Sequence, residues 1–260
     1  KKFTKKCKVV IPVHFSGHPC DLSKIYEFAR SKNLKVIEDS AHAFGSIYKG
    51  KKIGSQGYIN CFSFDGIKNI TTGEGGCVVT NDKTIINKIK NSRSLGVINE
   101  SELRYKNKKK WKINVKSQGW RYHMSDINAA IGNAQLKRFK FLAKKRQSIA
   151  KLYDKIFLKK NHLLKIFNRD YNKEVPHIYC VVLNNSTDRD KLREKLLKNN
   201  IQTGIHYIPG YLLDYYKKNK RLFPNCEKVH KKVLTLPLHP DISPKNINFI
   251  TKKILNYLEK

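Results

Sequence analysis

Three segments near the start of the chain set its architecture. Residues 8–13 form a run rich in valine and isoleucine that stops at His14. Residues 21–32 have the apolar spacing of an amphipathic helix, with Asp21 placed to cap its first turn. Residues 34–39 form a second apolar run. A strand, helix, strand order of this kind is a βαβ unit, which brings the two strands side by side in parallel and puts functional groups at their carboxyl ends. Asp39 falls at such an end, and His42 follows three residues later.

Further along, residues 58–64 and 76–81 read as strands that bracket a loop. The loop carries Lys68 and then Gly73, Gly75 and Gly76, so the lysine sits on a tight turn at a strand end. Taken alone, that pattern is also compatible with a hairpin and one solvated lysine. Residues 48–54, with Lys-Gly-Lys-Lys, read as a short surface hairpin, and 83–93 as a helix. Residues 100–116 are basic and poorly periodic. They are expected to form a long loop that covers a site or reaches a neighbouring subunit. Ser125 opens a long helix with apolar residues at 129, 130, 136, 139, 142, 149 and 152. Beyond Tyr153 the pattern changes to strand (177–183), helix (188–198), strand (201–205) and helices at 227–233 and 244–258. The expected fold class is therefore α/β. A large domain with a mostly parallel sheet spans 1–152 and ends in the bridging helix, and a smaller α+β domain spans 153–260.

Composition narrows the function. The net charge is +34, from 54 basic against 20 acidic residues, which invites a nucleic-acid reading. Only 10 of the basic residues are Arg, the side chain favoured for bidentate phosphate and base recognition, and the lysines spread along the whole chain. Dedicated nucleic-acid binding is not expected; easier approach of an anionic small molecule is. The six cysteines have no metal-site or disulfide spacing, and no apolar run is long enough to cross a membrane. A cytoplasmic location is the expectation.

Asp39 and Lys68 are together what pyridoxal phosphate needs: a carboxylate to keep the pyridine nitrogen protonated, and an amine for a Schiff base. With residues 37–45, 63–76 and 119–130, they make the chain, from about Val9 to its end, resemble the DegT/StrS family of nucleotide-sugar aminotransferases, a branch of the fold-type I pyridoxal-phosphate enzymes. The resemblance implies that Lys68 is the Schiff-base lysine and later a proton shuttle, with Phe62, Phe64 and Ile67 excluding water around it. It implies Asp39 at the ring nitrogen, where the plainer role is a helix N-cap for the segment that follows. His42 stands where relatives use Gln or His against the cofactor's ring oxygen, although a lone histidine is often only packed. Ser63 matches the phosphate-binding serine. Arg121 stands where many relatives have an asparagine that reaches the phosphate from the partner subunit, although it could be an ordinary arginine at a helix entry. His206 and Tyr207 match a segment bordering the sugar, and Tyr211 replaces a frequent histidine.

The implied activity is transfer of an amino group, usually from glutamate, to a nucleotide-linked 4-keto-6-deoxy sugar in surface polysaccharide or glycoconjugate biosynthesis, by a homodimer with shared sites. The alternatives are a sugar dehydratase, in which relatives carry histidine in place of the lysine, and an incomplete chain acting as a basic binding or scaffold protein. The match begins well inside the family's large domain, and the first residue is Lys1. An N-terminally incomplete chain is therefore expected, lacking the glycine-threonine loop for the cofactor phosphate and the aromatic ring stacked on the pyridine.

Overall fold

The computed structural model describes residues 3–97, 114–115, 117–184, 188–216 and 223–259. The chain divides into two compact units, one of Lys1–Val13, Cys20–Ala41 and Lys51–Lys137, the other of His14–Pro19, His42–Gly50 and Arg138–Lys260. The boundary expected near residue 153 thus differs from the observed one, which falls inside the long helix. The reason lies in what each half of that helix touches. Gly132 lies so close to Thr72 that a Cβ there would be 2.6 Å from its Cγ2. Ile149, Ala150, Tyr153 and Phe157 instead enter the second unit's core.

In the first unit, strand β1 (Val9–Val10) leads through helix α1 (Leu22–Ser31) to β2 (Lys35–Asp39). Asp21 caps α1 by accepting from Lys24 N. Asn33, at φ 53°, ends it with Leu34 N donating to Ala29 O at 2.8 Å. Strands β5 (Ile59–Ser63) and β6 (Gly76–Val79) follow, and the sheet order is β1-β2-β5-β6. The first three strands are parallel and β6 is antiparallel to β5. Between β2 and β5, short strands β3 (Ile47–Tyr48) and β4 (Lys51–Lys52) flank a turn at Lys49 and Gly50, where the chain passes back into the first unit. Helix α2 (Lys83–Ser92) starts at Asp82, which accepts from the amides of Thr84 and Ile85. The loop expected at 100–116 lies, apart from residues 114–115, outside the described residues.

Helix α3 (Asp126–Phe157) runs into the second unit. There β7 (Leu164–Ile166), β8 (Tyr179–Leu183) and β9 (Val233–Leu236) form an antiparallel sheet in that order. Helices α4 (Arg189–Leu197), α5 (Pro224–His230) and α6 (Pro244–Leu258) accompany the sheet, with short 3-10 turns between elements. Two expectations change, and β7 has no counterpart among the expected strands. Strand β7 is too short for its periodicity to stand out. The helix expected to reach Val233 stops at His230, because Val233–Leu236 is buried as the strand beside β8. The strand expected at 201–205 contributes only a bridge between Gly204 and Thr235. No helix among the described residues is long and apolar enough to cross a membrane, and no group of three or more His, Cys, Asp or Glu among them could hold a metal ion.

One carboxylate ties this unit's helix to its sheet. Tyr171 and Tyr179 donate their hydroxyls to the two oxygens of Asp154 on α3, at 2.5 and 2.6 Å. Burial first, and Asp154 second, push both phenols above the ordinary tyrosine value of 10.0. The folded state therefore holds these protons more tightly than the unfolded chain. The stability they contribute is whole below pH 10.0 and is lost as pH rises above it. Asp154→Ala is expected to strand both hydroxyls and cost about 2–5 kcal/mol, with Asp154→Asn costing less because an acceptor remains. Urea denaturation of the two variants measures the difference.

Candidate active site

In the first unit, the parallel pairing of β2 with β5 sets Glu38 opposite Asn60 and Asp39 opposite Cys61. Strand alternation then separates two faces. Glu38 and Asn60 are buried on one, where Tyr26 Oη donates to Glu38 Oε1 (2.7 Å) and accepts from Tyr58 N (2.9 Å). Asp39, Cys61 and Ser63 share the other. Asp39 Oδ1 accepts from Ala41 N at 3.1 Å and Oδ2 has no hydrogen bond among the described residues. No helix follows Asp39, so its local role is in a turn, not a helix cap. Burial, and then the Asp39 carboxylate, push the Cys61 thiol up.

Lys68 sits in the loop joining β5 to β6, and Phe64 closes that loop. Its N–H donates to Gly75 O (2.8 Å), and its carbonyl accepts from Thr72 N (2.9 Å) and Thr71 Oγ1 (3.2 Å). Buried Thr72 donates its hydroxyl to Glu74 O at 2.7 Å, and Asn128 Nδ2 in α3 donates to the same carbonyl at 3.1 Å. Gly75, at φ 151°, has no room for a side chain, since a Cβ would lie 2.5 Å from Thr72 Oγ1 and 2.8 Å from Met124 Cε. Lys68 itself is half-buried. Its amide donates to Asp65 O (3.0 Å), while its ammonium has no hydrogen bond or ion pair among the described residues. Ile67, expected to help shield it, is 65% exposed. The physical cause is the turn in which Ile67 N donates to Asp65 Oδ1 at 3.0 Å, and this points the side chain outward. Ser63 Oγ accepts from Asp65 N at 3.4 Å, leaving its hydroxyl proton without an acceptor among the described residues. Arg121 is exposed, on a bridge opposite Ser94.

In the second unit, His42 is 6% exposed. Its Nδ1 accepts from Ser16 N (3.3 Å), its Nε2 lies 3.0 Å from Tyr207 Oη, and its ring lies 4.3 Å from that of His177. Of the three residues expected beside a sugar, Tyr207 is thus placed against His42. His206 Nδ1 is bonded to Thr235 Oγ1 at 2.9 Å, and Tyr211 stacks on Phe223 at 5.3 Å. Ser16, Arg169 and Glu174 are not among the site residues expected from the sequence. Ser16 is held at φ 60°, ψ 20°, which costs a non-glycine residue about 1 kcal/mol. Arg169 donates to Ser16 O (3.0 Å) and Ser16 Oγ (2.6 Å), and lies 3.5 Å from Glu174 Oε2. Glu174 Oε1 accepts from His18 Nδ1 at 2.9 Å.

The model of the DegT/DnrJ/EryC1/StrS aminotransferase family matches residues 1–255. The chain belongs to that family. A UDP-4-amino-4,6-dideoxy-N-acetyl-beta-L-altrosamine transaminase from Campylobacter jejuni is 35% identical over 252 residues, covering 95% of this chain and 65% of the relative. The chain thus spans about two thirds of that relative's length. The structure of Helicobacter pylori PseC, an aminotransferase involved in the biosynthesis of pseudoaminic acid, superimposes with a TM-score of 0.90 at 29% identity, over 99% of this chain and 68% of that one. The pyridoxal-phosphate form of the putative sugar aminotransferase Spr1654 from Streptococcus pneumoniae gives 0.85 at 26% identity, over 99% and 70%.

The fold is thus the α/β fold of these sugar aminotransferases. The first unit also fits the family's cofactor chemically. An open carboxylate oxygen suits a protonated ring nitrogen, a free hydroxyl proton suits a phosphate oxygen, and an unpaired amine suits an aldehyde carbon. The lysine loop's rigidity can be checked directly. Gly75→Ala is expected to open it, raising hydrogen exchange at the amides of Phe64 and Thr72 by about tenfold or more. Exchange followed by NMR reads this out.

Proposed function

We propose that the protein to which this chain belongs is a pyridoxal-phosphate-dependent aminotransferase that moves an amino group, from glutamate, onto the keto carbon of a nucleotide-linked 4-keto-6-deoxy sugar. The observation that carries the reading is the position of Asp39 and of the Lys68 loop at the carboxyl ends of adjacent parallel strands, each with polar groups unspent. When bound, the cofactor supplies the electron sink that lets an amino group pass between two carbons. Asp39 would hold the ring nitrogen protonated through its open oxygen. Ser63 would donate its hydroxyl to the phosphate, and Arg121, supplied across a homodimer interface, would add charge-assisted bonds there. Lys68 would anchor the group through its amine and, once released, move a proton at the substrate carbon. His42 would donate to the ring oxygen, and Tyr207, with His206 and Tyr211, would border the sugar. The net charge of +34 favours approach of an anionic sugar nucleotide.

The lysine itself argues against the dehydratase alternative. Adding pyridoxal phosphate to the full-length protein is expected to produce an absorbance band that Lys68→Ala removes, together with turnover. Asp39→Asn is expected to keep cofactor uptake and lose roughly a hundredfold or more in rate. Retained turnover in Lys68→Ala overturns the reading, and a wild-type protein with no band favours a basic binding protein instead.

The carbon that receives the amine is inferred from the loop. Lys68-Asn69-Ile70-Thr71 followed by Gly73-Glu74-Gly75-Gly76 resembles the family's C4 enzymes, and the Campylobacter relative is named for a 4-amino-4,6-dideoxy sugar. The expected product is a 4-amino-4,6-dideoxy sugar nucleotide, a step in amino-sugar supply for surface polysaccharide. NMR of the product from a 4-keto-6-deoxy precursor tests this, and a 3-amino product would refute it.

A further inference from the structure

A histidine that touches a cofactor acts through whichever ring nitrogen carries the proton, and the partner of the other nitrogen sets that choice. Ser16 N lies 3.3 Å from His42 Nδ1, and a backbone amide can only donate. Nδ1 must therefore present its lone pair, and the neutral ring carries its proton on Nε2. That N–H faces Tyr207 Oη at 3.0 Å, so the phenol oxygen accepts and the phenol's own proton is directed away from His42. A doubly protonated ring would set Nδ1–H against the Ser16 amide, donor against donor. The contact thus works against the imidazolium as well as against the other tautomer.

The amide is aimed in this way because Ser16 occupies the left-handed region, at φ 60° and ψ 20°. Three side-chain hydrogen bonds hold it there. Arg169 donates to Ser16 O at 3.0 Å and to Ser16 Oγ at 2.6 Å, and Ser16 Oγ passes its own proton to Ile178 O at 2.6 Å. Arg169 is 2% exposed and is held in turn by Glu174. The next residue, Gly17 at φ 87°, packs so tightly that a Cβ would lie 2.1 Å from Val175 O, which pins the turn from its other side.

We propose that Ser16 and Arg169 are positioning residues that fix His42 as a neutral donor through Nε2, with Glu174 holding the arginine in place. The inference rests on the reading of His42 as a cofactor-contacting residue. A contact to a ring oxygen requires a hydrogen-bond donor, and here that donor is the Nε2–H, which Tyr207 Oη accepts in this structure and a ring oxygen would accept in its place. A ring free to change tautomer would present an acceptor in part of its population. The turn at Ser16 removes that population before any ligand arrives.

The test uses the full-length protein labelled with ¹⁵N-histidine, without and with pyridoxal phosphate. At neutral pH, long-range ¹H–¹⁵N spectra are expected to show His42 as the neutral Nε2–H form. Arg169→Gln cannot span both Ser16 oxygens and is expected to give a mixture of ring forms, with kcat lowered about tenfold and KM little changed. Ser16→Gly keeps the amide and adopts the left-handed turn freely, so it is expected to retain the Nε2–H form although the hydroxyl is lost. A wild-type His42 found as Nδ1–H or as imidazolium overturns the proposal, whatever the variants do. A folded Arg169→Gln protein with an unchanged His42 spectrum overturns the role of Arg169. Absence of a cofactor band in a wild-type protein that has the expected tautomer would overturn the functional reading instead, so the two failures are distinguishable.

Discussion

The register between β2 and β5 is the constraint on which the first unit depends. It puts two neighbouring acids to opposite uses. Glu38 goes under α1, where it accepts from Tyr26 Oη, itself held by Tyr58 N, and Asp39 goes to the face shared with Cys61 and Ser63. A slip of one residue would exchange the two. Several contacts prevent that slip. Asn60 donates to Gln56 O and accepts from Ser40 Oγ, and Gly57 lies so close that a Cβ would sit 2.2 Å from Glu38 Oε1. The buried polar network costs desolvation, and its return is a single allowed register.

The second unit meets a related problem, since a strongly basic chain must bury some cations. Arg169 is paired with Glu174. Arg146, 6% exposed, has no carboxylate among the described residues and instead donates to the carbonyls of His177 and Leu238, at 3.0 and 3.1 Å. Burial lowers its guanidinium to about 10, which still leaves it charged at neutral pH. Both arginines bond to backbone carbonyls, so they fix chain path outside the α-helices and strands. Ser16 and His177, which both lie against His42, are reached in this way.

Much of the scaffold was legible because its signals are local. Asp21 reads as a cap and accepts from Lys24 N in the first turn, and the structure adds Asp82, Asp188 and Ser243 as caps of the same kind. The βαβ order survives into the parallel pairing, and among the glycines after Lys68, Gly75 lies so close to Thr72 and Met124 that no side chain fits there. What was not legible depends on distant partners. A helix read as far as Val233 stops short of it because Val233–Leu236 pairs with β8. Leu164–Ile166 is too short to have a period of its own. The outward turn of Ile67 follows from one side-chain bond to Asp65.

Spacing, capping and turn residues act over a few positions, so the parallel sheet and the lysine at a strand end could be read from the sequence, and short motifs carried the resemblance to the family. Tertiary structure alone decided how the functional side chains are held. Ser16 and Arg169 are 153 positions apart, and nothing in either neighbourhood announces that one will set the proton on His42. Likewise, Glu38 and Asp39 are adjacent acids that no local pattern separates. The pleat gives them opposite faces, and the packing of α1 through Tyr26 decides which acid is buried and which is left open.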